Sequence, residues 1–327
     1  MNKYFHSWVE KYRPKLLDDI TSQNDVITSL KKVLETKNIP HLIFFGPSGC
    51  GKTSTILALA KELFGEQIYN DRVIELNASD ERGINIVREK IKKYAKRSVN
   101  IKENTPPWKI IILDEADNMT SESQFALRRI MEEYSLITRF CIICNYYNKI
   151  IDPIISRCAL FRFKPIKQED IIIKLKKICE NENISLSDDF LLQVIKFSRG
   201  DMRKAINFLQ KCQKNFGTMM NQDILNEISG IIPQSKSNDL IDAIINKKSK
   251  NIDNIIIELS NNGYSLINQI LIFDTFIKNS NILSSNVKSL LSVKLSEIDN
   301  NLLKGGDEYI EFMRLAYDFS RIINSNQ

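Results

Sequence analysis

The stretch GPSGCGKT, residues 46–53, has the spacing G-x-x-x-x-G-K-[ST], which suits a backbone loop wrapped around a row of phosphate oxygens. Gly46, Gly49 and Gly51 let the chain bend with its amides turned inward, and Pro47, Ser48 and Cys50 complete the loop. Lys52 can reach the β and γ phosphates, the Thr53 hydroxyl can ligate Mg²⁺, and Ser54 follows in the departing helix. That helix aims its positive end at the same anion. The run IIILDEAD, 110–117, supplies the opposing half. Asp114 can hold Mg²⁺ or its water shell, and Glu115 can polarise a water for attack on the γ-phosphorus. ATP and Mg²⁺ are therefore the expected ligands. A glycine-rich turn and an acidic helix cap are the plainer alternatives, but an apolar run before the loop and a long helical pattern after it are what a phosphate site requires.

Two further residues fit this chemistry. Asn145 ends an apolar run, where its amide can orient the attacking water or contact the γ phosphate; a strand-end turn residue would look the same. Arg203, in the helix opening Asp201-Met202-Arg203, can swing onto the γ phosphate and couple its helix to nucleotide state, although an exposed helix arginine would carry the same letters.

These side chains need a sheet whose strand ends converge. HLIFF (41–45), RVIELN (72–77), WKIIILD (108–114), RFCIICN (139–145) and ALFRF (159–163) read as strands, most of them continuously apolar, as in a parallel sheet covered on both faces. Amphipathic helices are expected at 21–36, 52–63, 84–97 and 122–134, giving an open α/β sheet that binds ligands at the carboxyl ends of its strands. From Pro165 onward the pattern is helical: 168–181, 187–198, 201–212 and 221–229, a break at 231–239, then 239–247, 251–260, 264–278, 286–302 and 307–323.

A chain of 327 residues, 43% hydrophobic and 26% charged, fits two or three globular domains. No apolar run is long enough for a membrane span, and no membrane partner is expected. Cys141 and Cys144 lie in an apolar run and read as buried thiols rather than a zinc pair, which suits a reducing compartment. Of the net charge of +6, residues from 231 onward contribute −1 and residues 1–230 contribute +7. A polyanionic partner fits the first two thirds. Arg82 and Arg88 lie near a helix start whose first turn contains Gly83, and Lys149 follows another strand end, so these four can meet DNA phosphates without reading bases. Lys92, Lys93, Lys96 and Arg97 read instead as a solvated face.

Seven strings together resemble the small subunits of replication factor C, the eukaryotic sliding-clamp loader of the AAA+ class: WVEKYRPK (8–15), GPSGCGKT (46–53), ELNASDERGI (75–84), LDEAD (113–117), CNY (144–146), SRC (156–158) and GDMRKAINFL (200–209). The resemblance implies an α/β P-loop AAA+ ATPase domain with a parallel five-stranded sheet over 1–165, a small helical lid domain over 166–231 and an all-helical C-terminal collar domain over 232–327. It implies Lys52 and Thr53 as the Walker A pair, Asp114 and Glu115 as Walker B, Asn145 as sensor 1 and Arg203 as sensor 2, with Tyr12, Arg13 and Pro14 bordering the nucleotide base. Arg157, within SRC, matches an arginine finger that acts in trans on the neighbouring subunit. Cys50 departs from the family, many of whose members carry Thr there, with little effect expected.

The implied partners are one large and three further small subunits in a hetero-pentamer, the ring-shaped sliding clamp PCNA, and primer–template DNA followed by Arg82, Gly83, Arg88 and Lys149. Gln124 matches a polar residue that relays contacts, on a helix that approaches the clamp; core packing explains Phe125, Leu127 and Ile130 equally well. The implied setting is the nucleus, in DNA replication and repair. A ring translocase and a non-catalytic nucleotide-binding scaffold are the competing readings.

Overall fold

The computed structural model describes residues 7–78, 84–99, 105–217, 232–246, 249–281 and 283–325. They belong to two compact units, residues 1–218 and 219–327.

In the first unit, β1 (His41–Phe45), β2 (Val73–Asn77), β3 (Lys109–Asp114), β4 (Thr138–Cys144) and β5 (Cys158–Arg162) form one sheet in the order β2-β3-β4-β1-β5, with all pairs parallel. Helices on both faces explain the unbroken apolar runs: Ile110 to Leu113 and Phe140 to Cys144 are buried. Phe45 is level with Cys144, and Leu113 with Ile142. Gly46, Asp114 and Asn145 therefore leave the sheet at one edge. Because β1 sits between β4 and β5, the chain must cross to the far edge after β1, and such a switch point opens a crevice at the strand ends.

Around the sheet lie α1 (Trp8–Lys11), α2 (Asn24–Thr36), α3 (Lys52–Arg72), α4 (Ile84–Lys96), α5 (Ser121–Glu133) and α6 (Asp152–Ile155). Then come α7 (Gln168–Asn181), α8 (Asp188–Ser198) and α9 (Met202–Phe216). These last three pack through Ile171, Leu175, Leu191, Val194, Ala205 and Leu209, all buried. Ser187 and Asp201 cap α8 and α9 by accepting from Phe190 N and Lys204 N.

Several boundaries differ from expectation. The helix expected at 52–63 continues to Arg72, across a break at Gly65, whose φ of 68° no other residue type adopts cheaply. The polar run 231–239, expected as a break, is helical from Gln234 onward behind Pro233. Ser237 is buried there, with Leu240, Ala243 and Ile244 completing the packed face, so tertiary burial overrides weak local propensity. The helix expected at 221–229 lies outside the described residues.

The second unit is helical throughout its described residues: Gln234–Ile245, Ser249–Asn261, Leu266–Asn279, Ser285–Leu303 and Glu308–Ser325. Ile256, Leu259, Leu291, Leu315 and Phe319 form its core, with the Phe273 ring edge-on to Phe312 and Phe319. Among the described residues, no helix is long and apolar enough to cross a membrane. Cys141 and Cys144 are buried in β4, and burial pushes the Cys144 thiol up to about 12.

Candidate nucleotide site

The loop between β1 and α3 owes its shape to glycine at two demanding places. Gly46 has φ +147°, and a Cβ there would sit 2.3 Å from the Phe163 carbonyl oxygen. Gly49 has φ +67°, and its Cβ would sit 2.0 Å from Asp201 Oδ1. Below the loop, Gln23 is buried; its Nε2 donates to Lys164 O at 2.7 Å, and its Oε1 accepts from Lys164 N at 3.2 Å. Cys50 is buried with its thiol donating to Pro47 O at 2.9 Å, so it braces the loop from behind.

Lys52 Nζ donates to Gly46 O (2.7 Å), Pro47 O (2.8 Å) and Asn145 Oδ1 (2.9 Å), which joins the loop to the end of β4. Thr53 Oγ1 donates to Asp114 Oδ2 at 2.7 Å, while Asp114 Oδ1 accepts from Glu115 N at 2.8 Å. Asp114 thus meets the first turn of α3, directly after the loop. Glu115 holds φ 54° and ψ 37°, the left-handed region, which throws its carboxylate off the strand line. Asp117 Oδ2 accepts from Asn145 N and Tyr146 N, both at 3.3 Å, fixing the turn that carries Asn145. Asp117 Oδ1 is buried without a hydrogen-bond partner among the described residues.

One cavity is lined by Tyr12, Arg13, Pro14, the segment 48–54, Asp114, Glu115, Asn145 and Arg203. Residues from five separate parts of the sequence are thereby brought together. Gly46 and Pro47 lie behind this lining, as acceptors for Lys52. The N-terminal segment is fastened to the α7–α9 helices: Trp8 N donates to Gln210 Oε1 at 3.2 Å, and Lys11 Nζ and Tyr12 OH each donate to Glu182 Oε1 at 2.6 Å. Burial, then the hydrogen bond to Glu182, raises the Tyr12 phenol above its ordinary range.

Val9, Ile20, Thr21, Ile166, Lys174, Met202 and Ile206 also line the cavity. Met202 and Ile206 flank Arg203 at helical spacing and could have been found from that. Burial lowers the Lys174 ammonium's pKa, and no sequence signal marked that residue.

Other expected residues lie elsewhere. Arg157 is outside the lining; its guanidinium donates to Pro153 O at 2.6 Å and pairs with Glu132 at 2.7 Å, and Glu132 also pairs with Arg128 at 3.0 Å. Gln124 is buried: its Nε2 donates to Lys149 O at 2.9 Å and its Oε1 accepts from Ile151 N at 2.9 Å, so it ties α5 to the segment after β4. Leu127 and Ile130 are buried as expected, but Phe125 is half exposed, so core packing does not account for it. Lys149 stands over the Tyr146 ring, 5.4 Å from its centroid. Lys92, Lys93, Lys96 and Arg97 are exposed. Arg82 and Gly83 lie outside the described residues, and Arg88 falls on α4.

Known proteins match most of the chain. The ATPase family associated with various cellular activities matches residues 42–166, the RCF1/5-like AAA+ ATPase lid domain matches 174–214, and the replication factor C C-terminal domain matches 232–317. Replication factor C subunit 2 of Schizosaccharomyces pombe is 45% identical, over 96% of this chain and 93% of that protein. Replication factor C subunit 4 of Homo sapiens is 42% identical, over 98% and 89%. The replication factor C small subunit of Archaeoglobus fulgidus is 42% identical, over 96% and 97%. Among solved structures, Thermotoga maritima RuvB shares the fold, with a TM-score of 0.52 at 17% identity, over 72% of this chain and 80% of that one.

Proposed function

This chain belongs to the replication factor C family, and from that premise we propose that it is an ATP-hydrolysing subunit of a hetero-pentameric clamp loader. The loader opens the sliding clamp, PCNA, and sets it on primer–template DNA in the nucleus, in replication and repair. The DNA and clamp stimulate hydrolysis within the assembly. The charge of +7 on residues 1–230 supports a polyanionic partner. Leu290 and Val293, exposed one helical turn apart on Ser285–Leu303, support a joining role for the C-terminal helices.

The donor set fits the expected ligands. Thr53 Oγ1 and Asp114 Oδ2, 2.7 Å apart, are the hard oxygen ligands that Mg²⁺ takes, and Gly46 and Gly49 hold loop positions where a Cβ would clash. Thr53 and Asp114 would hold Mg²⁺, which would supply charge neutralisation to the bound phosphates. Lys52 and the loop amides hold the phosphates, while Tyr12, Arg13 and Pro14 border the base. Glu115 accepts a proton from the attacking water, Asn145 orients that water, and Arg203 contacts the γ phosphate. Arg82, Gly83, Arg88 and Lys149 follow the DNA backbone, and Gln124 relays contacts across the ATPase domain from the helix that approaches the clamp. Arg157 neutralises charge on the phosphoryl group of the neighbouring subunit's ATP. ATP binding draws adjacent ATPase domains together around the open clamp; hydrolysis dissolves those contacts and the clamp closes on DNA.

The observation that carries this reading is the placement of Arg157 on Glu132, outside the cavity that collects the cradle and both carboxylates. The test is Arg157→Ala in the reconstituted assembly. Turnover at the neighbouring subunit's site is expected to fall by about 10³-fold or more, while the isolated variant chain binds ATP as before. Loss of ATP binding by the isolated chain contradicts the assignment in trans.

A further inference from the structure

We propose that Asp201 is a positioning residue: through a bridge to Ser48 it sets the first turn of α9 against the phosphate loop and so aims Arg203. The proposal rests on the reading of Arg203 as the γ-phosphate contact.

An N-cap needs one side-chain oxygen, and Asp201 supplies it with Oδ1, which accepts from Lys204 N at 3.1 Å. Its second oxygen serves another purpose: Oδ2 accepts from Ser48 Oγ at 2.6 Å, a short, charge-assisted hydrogen bond across 153 positions of sequence. The same carboxylate crowds the next residue, where any Cβ on Gly49 would sit 2.0 Å from Asp201 Oδ1. One carboxylate thus joins the phosphate loop to the helix whose second residue is Arg203. Met202 and Arg203 of that first turn, with Ile206 just after it, line the same cavity as Ser48 and Gly49.

The consequence is selective. A diphosphate lacks the group that Arg203 would meet, so a loosened first turn weakens triphosphate binding more than diphosphate binding. A ligand can favour one arrangement only through a difference in its contacts to it. Loop and helix are thereby coupled within one chain, before any neighbour takes part.

A double-mutant cycle on the full chain tests this, reading the ratio of ATP to ADP affinity. Ser48→Ala removes the donor. Asp201→Ser keeps a good helix cap but is too short to hold Lys204 N and Ser48 together. Each substitution is expected to lower the ATP-over-ADP preference roughly threefold to tenfold, the range of one hydrogen bond, and the double variant to lower it no further. Additive losses, or a preference equal to the parent's, overturn the bridge. Arg203→Ala separates the two claims. A preserved preference there removes Arg203 from phosphate recognition and the proposal with it. A preference lost in Arg203→Ala but intact in both bridge variants defeats the bridge alone.

Discussion

Glu115 occupies left-handed backbone, a conformation that costs a non-glycine residue about 1–3 kcal/mol and persists only where its surroundings hold it. Here Asp114 Oδ1 accepts from Glu115 N at 2.8 Å, and Asn118 Nδ2 lies 3.4 Å from Glu115 Oε2. The arrangement keeps the carboxylate beside Asp114 yet free of the Thr53 contact, as a base needs when its neighbour holds a cation. Glu115→Gln should keep ATP binding and lower hydrolysis by about 10²–10⁴-fold, the range of general-base catalysis; a filter-binding and phosphate-release pair measures both. Hydrolysis at the parent's rate would remove Glu115 from that role. Lys52, Thr53 and Asp114 were legible in the sequence because their chemistry dictates their types and spacing. Gln23 and Asp117 were not, because they act by bracing backbone amides and carbonyls that lie far off along the chain. The contact of Asp201 with Ser48 was equally hidden, although Asp201 itself was visible as the start of a helix.

At the scale of elements, β1 illustrates how the sheet edge away from the site is secured. His41 begins the strand, and its Nδ1 accepts from Phe140 N at 3.2 Å, which requires that nitrogen to be unprotonated. Burial, followed by the nearby Arg139 charge, lowers the imidazole from 6.5 to about 4. Above pH 6.5 the folded and unfolded chains both carry neutral imidazole and the strand's stability is complete. As pH falls, the unfolded chain takes up the proton first, so stability is lost from pH 6.5 down to about 4. Between pH 7 and 5 this should remove about 1–2 kcal/mol after allowing for solvent screening. Urea midpoints at both pH values, for the parent and His41→Gln, check it. An equal drop in the two proteins would show that His41 is not the group titrating. The strands were legible because helices on both faces demand continuous apolar runs. The continuation of α3 past Gly65 was not, since Leu63 and Phe64 are its last buried apolar residues and the helix beyond them is mostly exposed. Nor was the helical start at Gln234, where Ser237 is buried by packing that no local pattern announces.

At the scale of the whole molecule, the excess of basic residues and the nucleotide site belong to the first unit, while the described residues of the second form helices around their own apolar core. That arrangement suits the proposed loader, in which the first unit would hydrolyse ATP and the second would join other subunits. The fold class was legible throughout because strand and helix periods change cleanly near residue 165. The role proposed for Arg157 was legible only through the SRC string, since its guanidinium lies outside the cavity of its own chain and meets Glu132. Hydrolysis in the proposed loader is therefore completed at a seam between subunits. The most direct measurement is steady-state ATP turnover by the purified chain, as a proven monomer, beside the reconstituted assembly with clamp and primer–template DNA. Slow turnover by the monomer and a large increase in the assembly is the predicted result; fast, DNA-independent turnover by the monomer would contradict it.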